Sequence, residues 1–272
     1  MLALALRSGA RWILPPVARV YIPEPQPDPA RDAEFGLVAL ADGGCGLYYA
    51  WLGASQRGMS RRFDADSFCG VEALQLAALY SSEDEAERSL GLAAINAITA
   101  SVWQQGGFVP PTAQSSFGFE VRPHDHLGMV GNFPSLVRQA QARGARVTVL
   151  ERKAHMATSG PSIEITLDPR ALRECRKVVI TAATLINDTL DEVLGNLTAG
   201  AQVTIVGPTA GCFPDPLFAR GVHAMGGTRV IDPATAYARL VGGEKLKESA
   251  RRFLLTPTST PSFAELLAAP SL

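Results

Sequence analysis

The sequence predicts an α/β protein in two parts, an N-terminal α+β domain followed by a C-terminal Rossmann-like domain built on a parallel sheet. Three observations predict it. From Leu127 onward, short apolar runs alternate with helix-patterned segments, the rhythm of parallel strands joined by right-handed crossovers. Upstream, strand patterns come first and helix patterns follow, as in a small α+β unit. Between them, the stretch from Gly106 to Ser116 combines turn formers with few large apolar groups and reads as a linker. The expected division is 1–116, 117–255 and a tail over 256–272, whose Pro, Ser and Thr content predicts partial disorder.

The elements follow in order. The opening MLALALRSGARWIL resembles a signal peptide, but its apolar run precedes its first arginine and no small-residue cleavage site closes it. It reads as a helix. Antiparallel structure is expected from Val17 to Gly53: Arg19 to Ile22 alternates, and a proline-rich connection (Pro23, Pro25, Pro27, Pro29) follows. Phe35 to Ala41 and Cys45 to Trp51 then flank Asp42-Gly43-Gly44, residues that tolerate positive φ and suit a hairpin turn. Ser82 and Glu85 have capping-box spacing, and Ala86, Leu90, Ala93, Ala94, Ala97 and Ile98 recur as one apolar helical stripe. In the second half, strands are expected at 127–130, 147–150, 178–182, 203–206 and 228–231, with helices at 134–143, 190–197 and 216–220.

Composition narrows the function. The 272 residues carry 25 basic against 26 acidic side chains, with no basic block, which argues against a nucleic-acid binder. No apolar stretch approaches the roughly 20 residues needed to span a bilayer. The four cysteines (Cys45, Cys69, Cys175, Cys212) are scattered without metal spacing, as suits a reducing cytosol. A cytoplasmic protein with a small-molecule partner is expected.

In an open parallel sheet, ligands sit outside the carboxyl ends of the strands. Those ends carry Gly131, Asn132, Phe133 and Pro134 after the first strand and Glu151 after the second. Thr184 and Asn187 follow the third, Gly207, Pro208 and Thr209 the fourth, and Asp232 the fifth. Glycine lets backbone approach a ligand, and Pro134 suits the first turn of a helix. Glu151 lies about 20 residues past Gly131, where an acid often binds a ribose hydroxyl. The dinucleotide fingerprint is nevertheless incomplete, because His126 stands where its first glycine belongs. Gly131 and Pro134 equally fit a tight strand-to-helix turn with no ligand.

Three of these segments carry a resemblance. Val130-Gly-Asn-Phe-Pro134, Thr181 to Asn187 with Thr189 to Glu192, and Val206-Gly-Pro-Thr209 resemble a family of uncharacterised prokaryotic proteins named for heavy-metal chelation. Ser89 to Ala97 is similar to that family's N-terminal helix, and the likeness runs from about Val17 to Gly243. It implies an enolase-N-terminal-like domain ahead of the Rossmann-like one, with a cleft between them. The family commonly has a Pro-Gly-Asp turn before the first parallel strand; here Pro123-His124-Asp125-His126 stands in its place.

Other residues divide between plain and functional readings. His124 and His126 have ligand-type side chains, but they enter the first strand at its amino edge, opposite the expected crevice. Cys212 has no visible partner to activate it, and His155 and His223 are isolated. Asn96 lies in an apolar helix, so its amide either ties the helix to its neighbours or lines the cleft. Asn187 suits helix capping as well as ligand contact. No G-x-S-x-G elbow or H-E-x-x-H helix is present, and no catalytic group is singled out. The leading expectation is a crevice that binds or transforms a small metal-coordinating or heterocyclic molecule; its cofactor is left open, with a metal ion or metal chelate ranked ahead of a nucleotide. The alternatives are a nucleotide-cofactor-dependent transferase or oxidoreductase, and a non-enzymatic assembly subunit forming a homodimer.

Overall fold

The computed structural model describes residues 1–24, 35–50, 58–115 and 117–268. The expectations for Pro25, Pro27, Pro29, Trp51, Ser116 and residues 269–272 lie outside these. The chain opens with helix α1 (Leu2–Ser8) and a three-stranded antiparallel sheet of β1 (Val17–Tyr21), β2 (Phe35–Leu40) and β3 (Cys45–Tyr49), in that order. The β2–β3 turn forms as expected: Gly43 takes φ +90°, and the Gly44 N–H donates to Asp42 Oδ1 at 2.9 Å.

Two short helices, α2 (Met59–Arg62) and α3 (Ala73–Ala78), lead to the 21-residue α4 (Glu85–Gln105). Its cap differs from the expected Ser82–Glu85 box. Asp84 is the N-cap, accepting from the N–H groups of Ala86 and Glu87, while Ser82 donates to the Glu87 carboxylate. The single apolar stripe is also corrected, since Ser89 through Thr99 are all buried. A helix buried all round must have neighbours on every side. The Ser89 and Thr99 hydroxyls are accommodated by donating back to the carbonyls of Glu85 and Ile95 at 2.8 Å.

The second sheet has eight strands: β4 (His126–Val130), β5 (Arg146–Leu150), β6 (Thr158–Ser159), β7 (Ile163–Thr166), β8 (Lys177–Thr181), β9 (Gln202–Val206), β10 (Ala224–Val230) and β11 (Ala250–Leu255). Across the sheet they run β11-β10-β9-β8-β4-β5-β7-β6. β6 and β11 are antiparallel edges, and the other six are parallel. Numbered by chain position, those six lie in the order 3-2-1-4-5-6, with the reversal between β4 and β8. That is the doubly wound arrangement, whose crevice opens where the order reverses. The expectations missed β6, β7 and β11, which are short or, in β11, carry two arginines in the first half. They also shortened β10, because Gly226 and Gly227 mask its first half.

The remaining helices are α5 (Pro134–Gln141), α6 (Leu190–Gly195), α7 (Asp215–Phe218), α8 (Pro233–Val241) and α9 (Phe263–Ala268). α5 buries Leu136, Val137 and Ala140 against Leu127, Met129 and Val149 on one face of the large sheet. On the other face, Leu92, Ile95 and Ile98 of α4 share a core with Val178, Ile180, Ile205 and Met225, so one apolar cluster joins both parts. Of the tail, residues 256–268 are described. Phe263 is buried with its ring 4.9 Å from Phe213 and 6.0 Å from Trp12, which holds α9 against the body of the protein. No helix among the described residues is long and apolar enough to cross a membrane.

Candidate functional site

Three predicted loops meet at the carboxyl ends of the parallel strands. Gly131 takes φ +83° at the end of β4, and its N–H donates to Leu150 at the end of β5. A Cβ at Gly131 would lie 3.2 Å from the Thr181 side chain, and one at Gly207 would lie 3.5 Å from Ala182. The turns after β4, β8 and β9 therefore sit side by side. Phe133 and Pro134 then begin α5.

Beside these turns the sheet steps. β9 ends at Val206, paired with Gly226, whereas β10 runs on to Val230 with β11 as its partner. The step leaves a hollow of about 190 Å³, walled by Phe133, Ser135, Gly207, Pro208, Thr228 and Arg252. Pro208, Thr228 and Phe253 also wall a neighbouring slot of about 10 Å³, space on the scale of one water. Asn96, Ala100 and Trp103, at successive turns of α4, form its far side. Asn96 is 2% exposed, and its Nδ2 donates to Leu47 O at 3.0 Å and Thr209 O at 2.8 Å. Among the described residues, its Oδ1 and the Trp103 Nε1 are buried with no partner.

The predicted residues divide accordingly. Phe133, Gly207 and Pro208 line the hollow, and Asn96 lines the slot while also tying α4 to β3 and the Thr209 loop. Gly131, Asn132, Pro134 and Glu151 build the turn behind them. Glu151 is engaged by backbone: Oε2 accepts from Asn132 N–H at 3.2 Å and Oε1 from Arg152 N–H at 2.8 Å. Thr209 and Thr184 are buried, and the Thr184 hydroxyl donates to Thr181 O at 2.8 Å. Asn187 accepts from Thr189 Oγ1 at 2.6 Å, in a loop whose Leu185 and Ile186 carbonyls accept from Tyr80 and Arg88. Asp232 caps α8 through Thr235. Thr184, Asn187 and Asp232 are thus placed away from the hollow's walls. Sequence reasoning missed Ser135, Thr228, Arg252, Phe253 and Trp103; the glycine pair inside β10 was the available signal, since interior strand glycines mark close approaches.

Among the described residues, the donor set does not fit a resident metal ion. Among the described residues no three His, Cys, Asp or Glu side chains gather to hold one. Burial pushes the Cys45, Cys175 and Cys212 thiols up to about 12, so they rest protonated. His126 starts β4 at its amino end, as expected, and its Nε2 lies 2.8 Å from Thr148 Oγ1. Asp125 beside it is held by Lys177 at 2.7 Å. Cys69 is the exposed thiol. A disulfide reagent added to the native protein is therefore expected to label one cysteine, Cys69, with the other three reacting only on unfolding. Fast native labelling at Cys212 or Cys45 would contradict this placement.

A small antiparallel sheet, a buried connecting helix and a doubly wound sheet with a hollow at its strand ends define a two-part α/β protein. The chain belongs to the family described as "Putative heavy-metal chelation", whose model matches residues 114–257; a second model of the same description matches residues 33–99. A family protein of unknown function from Desulfitobacterium hafniense is 19% identical, with a TM-score of 0.62 over 93% of this chain and 98% of its own. Another from Pyrococcus horikoshii is 17% identical, with a TM-score of 0.67 over 94% and 100%. An uncharacterised protein of Methanocaldococcus jannaschii is 28% identical over 186 residues, 63% of this chain and 66% of the relative's length. The two structures share the fold.

Proposed function

We propose that the protein binds a small metal-coordinating or heterocyclic molecule in the hollow over the carboxyl ends of β4 and β9, beside the middle of β10. The supporting observation is convergence. Phe133 and Gly207-Pro208, far apart in sequence, wall a hollow of about 190 Å³. Phe133 offers a ring face to a planar ligand, and the glycines admit it close to the backbone. On this reading any metal arrives with the ligand's own donors, because among the described residues no side chains gather into a coordination set. The C-terminal part then works as a Rossmann-like binding domain, and its buried free thiols suit the cytoplasm.

Thermal unfolding with a panel of chelators, each with and without divalent metals, tests this. A ligand at about 100 times its Kd adds about 2.7 kcal/mol, a rise of roughly 5–10 °C in Tm. Ser135→Trp, on an exposed position of the hollow wall, is expected to abolish that rise while leaving the unliganded Tm within about 2 °C, since exposed substitutions cost about 0.5 kcal/mol or less. A ligand-induced rise unchanged in Ser135→Trp would place binding elsewhere. No rise with any member of the panel would remove the reading. The nucleotide-cofactor alternative is opposed by Glu151, which already occupies the Asn132 N–H at the turn where a phosphate would dock.

A further inference from the structure

Two buried polar atoms meet the slot from one face of α4. Asn96 and Trp103 stand two helical turns apart with Ala100 between them, and all three wall the slot. The Asn96 amide has a fixed orientation. Both atoms facing its Nδ2 are carbonyl oxygens, so the nitrogen must stand there and Oδ1 takes the other position. That oxygen lies beside Gly211, a further wall of the slot, where a Cβ would stand 3.5 Å from it. Asn96 Oδ1 is an acceptor and Trp103 Nε1 a donor; among the described residues neither has a partner, and the two residues are 2% and 3% exposed. Such groups are costly to leave unpaired when buried. The slot also adjoins the hollow. Pro208, Thr228 and Phe253 wall both, the hollow on the α5 face of the large sheet and the slot on its α4 face. β9 has ended at Val206, so its backbone does not separate the two faces beside Thr228.

We propose that the slot is the hydroxyl-binding end of the site: a ligand in the hollow passes a hydroxyl through the step, where it accepts from Trp103 Nε1–H and donates to Asn96 Oδ1. This rests on the hollow being the binding site and adds the chemical class of its occupant, a hydroxylated heterocycle. A hydroxyl donates and accepts through a single heavy atom, which matches a donor and an acceptor facing a space of about 10 Å³. A methyl group supplies neither bond. An ether or carbonyl oxygen cannot serve the Asn96 oxygen, and a carboxylate would set charge against it. Water has the same two capacities and the same size, so the test must separate a ligand hydroxyl from a resident water.

Compounds sharing one chelating nitrogen and carboxylate provide it: picolinate, 5-hydroxypicolinate and 5-methoxypicolinate, titrated calorimetrically into the full chain, wild type, Trp103→Phe, Ala100→Val and Ser135→Trp. The hydroxyl compound is expected to bind wild type about tenfold more tightly than picolinate, and the methoxy compound no more tightly than picolinate. Trp103→Phe keeps a ring beside Phe108 and Phe253 but removes the donor. It should cut the hydroxyl preference to about threefold or less and leave picolinate unchanged. Ala100→Val fills the slot from the helix and should abolish the preference, which decides the matter if Trp103→Phe fails to fold. Equal binding of all the compounds, lost in Ser135→Trp, would overturn the hydroxyl subsite, leave the hollow as the site and assign the slot to a resident water. A hydroxyl preference that survives Ala100→Val would overturn the subsite as well. If none binds, or if Ser135→Trp binds them all as wild type does, the hollow fails as the site and the subsite falls with it.

Discussion

Replacing Asn96 with leucine is expected to lower the free energy of unfolding by about 2–4 kcal/mol, because two buried hydrogen bonds are lost at once, leaving the Thr209 carbonyl with the Gly211 N–H as its donor. The two acceptors are the carbonyls of Leu47 in β3 and Thr209 after β9, so a single amide joins the small sheet to the loop beside the hollow. Leucine keeps the branched outline and the number of heavy atoms, and the loss therefore does not report a void. Urea unfolding of both proteins, compared at equal m-value, measures it. Asn96→Asp sharpens the assignment. A protonated aspartate can still donate to one carbonyl, whereas the ionised form faces two oxygens with no hydrogen and is poorly solvated. Burial raises its folded pKa above the unfolded value, so its stability is fullest below about pH 4 and is lost as pH rises through the raised value. A leucine variant within about 0.5 kcal/mol of wild type would sink the bridging role.

Gly46→Ala is expected to cost about 3 kcal/mol or more, or to prevent folding, by driving α4 off β3. A Cβ at Gly46 would stand 1.9 Å from the Ala93 carbonyl oxygen and 2.7 Å from the Ala97 nitrogen. Both are helix backbone atoms, with no rotamer through which to yield. The helix would have to lift, and the shared core of Leu92, Ile95 and Ile98 with Val178 and Ile205 would open. Gly195→Ala is the control: it sits at the end of α6 with nothing within 4 Å of the added methyl. Lower chain entropy in the unfolded state makes that change neutral or stabilising by about 0.4–1 kcal/mol. Circular dichroism melts of the two variants separate the effects. Equal Tm values would show that the close approach of β3 to α4 is not needed.

Much of the fold was legible because its signals are local. Asp42-Gly43-Gly44 announced the hairpin, the runs at 127–130, 147–150 and 203–206 announced buried strands, and Pro134 announced the start of α5. Where a signal was missed, two physical reasons recur. Glycines demanded by close packing, such as Gly227 with Ala210 O only 2.0 Å from its would-be Cβ, erased the strand pattern of β10. Burial on all sides removed the amphipathic stripe of α4, leaving small and apolar residues all round instead of one marked face. Pro, Ser and Thr dominate the composition after Leu255, while the contacts of Phe263 with Trp12 and Phe213 carry no local signal.

The candidate site was legible to a lesser degree. Local sequence determined that Phe133 and Gly207-Pro208 lie at strand ends, since periodicity and turn chemistry act over a few residues. Which of the strand-end residues share a wall was decided by tertiary structure alone. Glu151 turned inward to its own backbone, Asp232 became a helix cap, and Thr184 was buried in a turn. Arg252 and Thr228 reached the hollow because β11 pairs with β10 in one particular register.

The hollow exists where one strand stops short of its neighbour, and a pairing register between distant segments leaves no trace in either segment's own pattern. Coordinates that continued β9 alongside β10 as far as Val230 would close the step and remove the cavity on which the function rests.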